Sequence, residues 1–260
     1  MLKSGNGRGF TLVQMTLACL LCIGVAGAAA RYRYKKISAP IIQYAAHPES
    51  EALKAKYGPH RNSYSEEEWC IRDFFNDRRD GFFVDVGAND YKVTSNTYYL
   101  DTVLNWKGLA VEPQRQFETD YIKFRPRTKF LSFFVSDASN QLAKMYVLKK
   151  NSLIASADRT FTEHEGEKAK EIEVPTITLN DLLDSEGVKK IDFLSIDIEL
   201  WEPKALAGFD VERFRPELVC IEAHPRVRQQ ILDYVARHHY TVVGKYLRAD
   251  VNNIYFTPIS

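Results

Sequence analysis

The stretch FFVDVGANDYKVTSN, residues 82–96, decides the fold. Phe82, Phe83, Val84 and Val86 form an apolar run that Asp85 interrupts, and Gly87-Ala88-Asn89-Asp90 then turns the pattern polar. A short apolar run closed by glycine predicts a buried strand and a tight turn. An aspartate inside such a strand is costly unless it is hydrogen-bonded or paired. Either the turn is ordinary, or it holds something.

On both sides of this stretch the chain alternates between strand and helix patterns. Ser65, followed by Glu66, Glu67 and Glu68, predicts a helix start with a cap and acids in the first turn, and Trp69, Ile71, Phe74 and Phe75 would face a core. Residues 95–106 predict a helix, 108–112 a second strand, 114–124 a helix and 129–135 a third strand ending at Ser136 and Asp137. An irregular section follows, with an extra strand at 145–148 and a charged stretch at 158–173. A helix is expected at 178–183, a fourth strand at 191–196 ending at Asp197, and a fifth at 217–221 ending at Glu222. In the helix predicted at 225–238, Val227, Ile231, Tyr234 and Val235 share one face; strands at 240–246 and 253–256 close the chain. This alternation predicts an α/β protein with a doubly wound, mostly parallel sheet.

In such sheets ligands bind at the carboxyl ends of the strands, near the switch point. Those ends carry Asp85 with Gly87, Glu112, Ser136 with Asp137, Asp197 with Glu199, and Glu222 with His224. Carboxylates accept hydrogen bonds from ribose hydroxyls, so acids recurring at strand ends point to a nucleoside site. A dinucleotide site would want G-x-G-x-x-G so that backbone amides reach a pyrophosphate. Here Gly87 stands alone before Ala88 and Asn89, a poor cradle for phosphates. S-adenosylmethionine, which has none, fits better.

The segments VDVGAND (84–90), SNTYYL (95–100), WKGLAVEP (106–113), VPTITLNDLL (174–183), IDFLSIDIELWEPKALAGFD (191–210) and PELVCIEAH (216–224) occur in an order and spacing that resemble the FkbM-type methyltransferases. The resemblance spans roughly residues 65–257 and implies a Rossmann-like, class I methyltransferase fold with S-adenosylmethionine as cofactor. By position it implies that Asp85, Gly87, Ala88 and Asn89 line the methionine end of the cofactor, that Glu112 binds the ribose, and that Ser136 and Asp137 lie near the adenine. It places Asp197 and Glu199 under the sulfonium and the acceptor, with His224 a third catalytic candidate. Two positions depart from the family pattern. Tyr91 stands where glycine often follows G-A-N-D, and Leu200 replaces the glycine of D-x-E-G. They keep open a second reading, a catalytically inactive, membrane-tethered binding or trafficking protein.

The expected reaction is methyl transfer to a hydroxyl of a sugar, a lipid-linked glycan or another small molecule, with Asp197 or Glu199 as proton acceptor. The bland alternatives are a turn glycine at Gly87, a helix cap at Ser136 and Asp137, a solvated loop at Asp197, Glu199 and Glu202, and a structural imidazole at His224. No His, Cys and Asp spacing predicts a metal site.

The chain has 260 residues, 45% of them hydrophobic and 27% charged, enough for one large domain and an appendage. A net charge of +1 gives no pull toward nucleic acid. Residues 10–30 carry no charge and, at ~1.5 Å per residue, would reach roughly 30 Å as a helix, the thickness of a bilayer core. Arg31, Arg33, Lys35 and Lys36 follow at once. The expectation is a single transmembrane helix with the catalytic domain in the cytoplasm; a cleaved signal peptide ending near Ala26-Gly27-Ala28, or another processed leader, is the competitor. The segments are then a membrane anchor at 1–36, a linker at 37–64 containing Pro40, Pro48, Gly58 and Pro59, and the methyltransferase-like domain at 65–260. Cys19, Cys22, Cys70 and Cys220 form no disulfide framework, which suits a reducing compartment.

Overall fold

The computed structural model describes residues 47–149, 151–163 and 167–259. The stretch at 82–96 opens the central sheet. β1 (Phe82–Val86) pairs in parallel with β2 (Lys107–Val111) on one side and β7 (Phe193–Ile196) on the other. With β3 (Thr128–Leu131), β8 (Leu218–Glu222), β9 (Tyr240–Val242) and β10 (Asn253–Pro258) the sheet has seven strands in the order β3-β2-β1-β7-β8-β10-β9. All pairs are parallel except the two made by β10. The order runs outward in one direction from β1 to β3 and in the other from β7 onward, so the switch point lies between β1 and β7.

Strand residues alternate between two cores. Val84, Val86, Leu194, Ile196, Val219 and Ile221 join one cluster; Phe83, Phe193, Leu218 and Cys220 join the other. The first is covered by α6 (Leu179–Ser185), α7 (Glu202–Ala207), α8 (Val211–Phe214) and α9 (Arg228–Arg237) through Leu182, Leu206, Phe214 and Ile231. The second is covered by α1 (Pro48–Tyr57), α2 (Glu67–Phe75) and α3 (Tyr98–Thr102) through Leu53, Trp69, Ile71 and Leu100. Burial on both faces explains why these strands read as nearly continuous apolar runs. Cys70 and Cys220 are free thiols within the second cluster.

The structure departs from the sequence reading at several places, among them the Ser65 cap, since the helix starts at Glu67 without a side-chain cap, and the strand expected at 240–246, which ends at Val242. Pro48–Tyr57, inside the expected linker, is a helix that starts on its proline and buries Leu53 against the second core. The helix expected at 95–106 shrinks to Tyr98–Thr102, because residues 91–97 are held in a loop by other contacts. The third strand is two: β3 ends at Leu131, and β4 (Phe134–Val135) belongs to a separate three-stranded sheet, β4-β6-β5. In that sheet β5 (Leu142–Val147) and β6 (Lys170–Ile177) pair antiparallel, and β6 occupies the end of the stretch read as merely charged. Its Ile172, Val174 and Thr176 alternate with Glu171 and Glu173, a strand pattern masked by charge and by Pro175.

The expected membrane span at residues 10–30 lies outside the described residues. Among the described residues no helix is long and apolar enough to cross a membrane.

Candidate active site

Three strand ends meet at the switch point. β1 runs into Gly87, whose φ is 87°. A Cβ there would lie 1.8 Å from the carbonyl oxygen of Asp197, at the end of β7. Both facts demand glycine: the backbone is left-handed, and the two strand ends approach too closely for a side chain. The glycine therefore lets the loops after β1 and β7 close around one space.

That space is a cavity of about 430 Å³. Its walls include Asp85, Gly87, Ala88, Asn89, Glu112, Asp197 and Glu199, so seven of the ten residues singled out from sequence converge on it. Glu112 is buried, and its two oxygens are held apart by separate amides: Gln114 N donates to Oε1 at 2.9 Å and Asn89 N to Oε2 at 3.2 Å. Burial still pushes this carboxyl up to about 7. Asn89, at a φ of 45°, fixes the turn by donating from Nδ2 to Ser152 O at 3.1 Å.

Asp85 is hydrogen-bonded, as its place in an apolar strand requires. Thr97 Oγ1 donates to its Oδ2 at 2.7 Å. Thr97 is in turn gripped by Arg125, just beyond α4 (Glu118–Phe124): Nη2 donates to Thr97 O at 3.0 Å and to Oγ1 at 3.1 Å, Nη1 to Ser95 Oγ at 3.3 Å, and Nε to Asp101 Oδ2 at 3.0 Å. Arg125 is 0% exposed. Burial raises the Asp85 carboxyl above its usual range, with the Thr97 hydrogen bond and the Arg125 charge opposing.

The far wall carries more acid than the sequence reading assigned. Glu222, at the end of β8, lines the cavity with Asp197, and its charge adds to burial in raising the Asp197 carboxyl. Burial lifts Asp197 well above its usual range and Glu222 to about 7; burial and the Asp197 charge lift Glu199 to about 10. Glu67 of α2 reaches the cavity from outside the strand ends. Its Oε1 accepts from Asn253 Nδ2 at 3.0 Å and its Oε2 from Ser65 N at 2.7 Å, and burial raises it to about 8. Among the described residues lining the cavity are six carboxylates and no lysine, arginine or histidine. No cluster of three His, Cys, Asp or Glu among the described residues could hold a metal ion.

Ser136, Asp137 and His224 do not border the cavity. The break after β3 moves Ser136 and Asp137 onto the small sheet: Ser136 Oγ accepts from Trp201 Nε1 at 3.3 Å, and Asp137 pairs with Lys204 at 2.6 Å, which lowers its carboxyl. The neighbouring Phe133, Phe134 and Val135 line the cavity in their stead. His224 accepts from Arg226 N at its Nδ1, and its ring meets Phe161, on α5 (Arg159–Thr162), edge-on. The sequence reading gives Glu222 no role of its own and does not bring Glu67 to the site at all. Glu222 was visible as a strand-end acid two residues before the histidine; nothing local marks Glu67, which only the docking of α2 brings in.

The two departures from the family pattern also lie off the cavity. Tyr91 stacks on Phe124 with ring centroids 4.9 Å apart. Leu200 has a φ of 78°, the left-handed conformation that a glycine adopts freely, and packs against the first core. Glu202, fully buried, accepts from Ile198 N at 3.0 Å through Oε1 and holds the same loop.

A mostly parallel sheet with its cavity at the switch point, one close-packed glycine and a carboxylate at each neighbouring strand end make this a Rossmann-like fold with a nucleoside-type site. The family model for the methyltransferase FkbM domain matches residues 85–242, and the chain belongs to that family. Among solved structures it is similar to a TehB-like SAM-dependent methyltransferase from Corynebacterium glutamicum, at 13% identity and a TM-score of 0.43, over 80% of this chain and 94% of that one. It is also similar to a precorrin-6y C5,15-methyltransferase from Geobacter metallireducens, at 13% identity and a TM-score of 0.36, over 64% of this chain and 66% of that one. Comparison with curated proteins gave no match.

Proposed function

We propose that the protein transfers a methyl group from S-adenosylmethionine to a hydroxyl oxygen of a sugar, glycan or other small molecule, while tethered to a membrane through residues 10–30. One observation carries the reading: a pocket with six carboxylates and no cationic side chain among its described walls. A phosphate-bearing cofactor would find no cationic side chain among those walls to balance its charge. A cofactor with a sulfonium, an ammonium and a ribose suits it. When bound, S-adenosylmethionine supplies a methyl group already activated by its positive sulfur.

The chain's own residues then have four tasks. Asp85 and the Gly87–Asn89 backbone take the methionine end. Glu112, with both oxygens oriented by amides, accepts hydrogen bonds from the ribose hydroxyls. Phe133, Phe134, Val135 and Ile154 provide an apolar wall suited to a purine. The proton that a hydroxyl acceptor gives up passes to the carboxylates of the far wall. Within it the Asp197–Glu222 pair is better poised than Glu199, because Glu222 titrates at about 7 whereas Glu199, at about 10, is protonated near neutrality.

Titration calorimetry of the full chain with S-adenosylhomocysteine tests this. The wild type is expected to bind, and Asp85→Ala and Glu112→Ala to weaken binding at least about tenfold each, ~1.4 kcal/mol. No binding, or binding indifferent to both substitutions, refutes the assignment.

A further inference from the structure

The mouth of the cavity is bordered by exposed apolar side chains on four separate loops. Tyr64 and Leu153 line the cavity and are 68% and 40% exposed. Val93, 65% exposed, precedes the lining residue Thr94, and Val251, 59% exposed, precedes the lining residue Asn252. Three of these loops are joined. Ser63 and Thr94 form a β-bridge, and Asn252 Nδ2 donates to Ser65 Oγ at 3.2 Å, so Tyr64, Val93 and Val251 sit on one connected rim. The rim is also rigid at Val93, because the amides of Lys92 and Val93 both bond Asp90 Oδ1, at 2.9 and 2.8 Å. Singly exposed apolar residues are ordinary; a group of them encircling one opening marks a surface that meets something apolar.

We propose that this rim rests on a lipid bilayer, and that the cavity opens toward the membrane surface, so that its acceptor is an amphiphile carrying the reacting hydroxyl at the lipid headgroups. Three features select a bilayer over a protein partner. Basic side chains flank the apolar ones: Lys92 is exposed beside Val93, and Arg61 bonds the Tyr64 carbonyl at 3.4 Å. Aromatic and apolar tips beside lysine and arginine match the boundary between acyl chains and anionic headgroups. Second, the chain before the described residues contains the uncharged run 10–30 and then Arg31, Arg33, Lys35 and Lys36. Third, residues 31–46 connect that run to the domain and can extend at most ~3.6 Å each, so a bilayer holding residues 10–30 is always within reach. The choice of acceptor rests on reading the cavity as a methyltransferase site; the docking does not.

The test uses the full chain with Cys19 and Cys22 replaced by serine, leaving only the buried Cys70 and Cys220. Single cysteines at Val93→Cys and Val251→Cys carry an environment-sensitive fluorophore, and Ile122→Cys and Leu142→Cys serve as exposed positions that do not border the cavity. Vesicles of phosphatidylcholine and phosphatidylglycerol in equal parts include a brominated lipid as quencher. Quenching several-fold stronger at 93 and 251 than at 122 and 142 is the expected result. Equal quenching at all four positions, including the case in which the chain ignores the vesicles, overturns the proposal. Protection of 93 and 251 without lipid, accompanied by a doubled mass in solution, also overturns it and gives the rim to a second copy. Binding of S-adenosylhomocysteine is read separately, so failure of the docking and failure of the methyltransferase reading are told apart.

Discussion

Gly87 is where sequence, backbone and site meet in a single residue. Its left-handed φ and the 1.8 Å approach of a hypothetical Cβ to Asp197 O leave an alanine two ways to fail, and the opposing atom is backbone, which cannot swing aside. Gly87→Ala should therefore cost roughly 2–3 kcal/mol from strained backbone and forced separation of β1 from β7. A lower denaturant midpoint with unchanged slope, together with lost S-adenosylhomocysteine binding in the folded fraction, is the expected outcome; an unchanged midpoint contradicts the geometry. This residue was legible in the sequence because the constraint is local: a glycine directly after an apolar strand has few other uses. Asp85 and Glu112 were legible for the same reason, since an acid at a buried strand end needs a partner. Glu222 is legible as a strand-end acid, but only the parallel pairing of β7 with β8 sets it beside Asp197 at the cavity. His224 lies past the end of β8, where its Nδ1 serves the backbone of the following turn.

At the scale of elements, the loop between β1 and α3 is shaped by an arginine from another element. Arg125 reaches back from the end of α4 to Tyr91 O, Ser95, Thr97 and Asp101, and so fixes the segment that presents the Thr97 hydroxyl to Asp85. Residues 95–106 have a helical composition, yet only Tyr98–Thr102 is helix; Arg125 holds Ser95 Oγ and Thr97 O at its start, while Thr97 O also accepts the helix's first bond from Asp101 N. No pattern within that segment could reveal a partner some thirty positions downstream. The split of the third strand is a similar case: the apolar run 129–135 is continuous in sequence, but its second half pairs with β6 rather than β2. Removing Arg125 should thus damage both stability and site. Arg125→Met leaves Asp101 with a broken buried pair and should cost about 3–5 kcal/mol. Arg127→Met removes the other Asp101 partner, whose side chain is 36% exposed, and should cost about 1 kcal/mol or less. Urea unfolding of the two variants side by side checks the contrast; equal losses would mean that burial of Arg125 does not set its contribution.

For the molecule as a whole, the buried acids in and beside the cavity make stability depend on pH in an unusual direction. Burial holds Glu67 at about 8, Glu112, Glu202 and Glu222 at about 7 and Glu199 at about 10. In the unfolded chain each ionises near the ordinary glutamate value of about 4.3. Between the two values the folded protein holds protons that the unfolded chain has released, so stability is fully present below the unfolded value and falls as pH rises through the folded ones. Asp73 and Asp158 act oppositely: burial resists their ionisation, but for Asp73 hydrogen bonds to Lys56 and Lys245, and for Asp158 those to Thr160 and Arg226, hold the carboxyl down at about 2. Their contribution is lost only in stronger acid, as pH falls below the ordinary aspartate range toward that value. The ligand-free protein should accordingly melt at a higher temperature near pH 5.5 than near pH 8. A cationic cofactor reverses the balance, because ionised carboxylates attract it. S-adenosylmethionine should raise the midpoint more at pH 8 than at pH 5.5, and Glu112→Gln and Glu222→Gln should each flatten the ligand-free slope. Scanning calorimetry across this range, with and without S-adenosylmethionine, reads all three effects. A ligand-free midpoint that climbs from pH 5.5 to pH 8 would show that the cavity carboxylates are ionised and already neutralised in the folded chain, and the charge argument for a sulfonium cofactor would go with it.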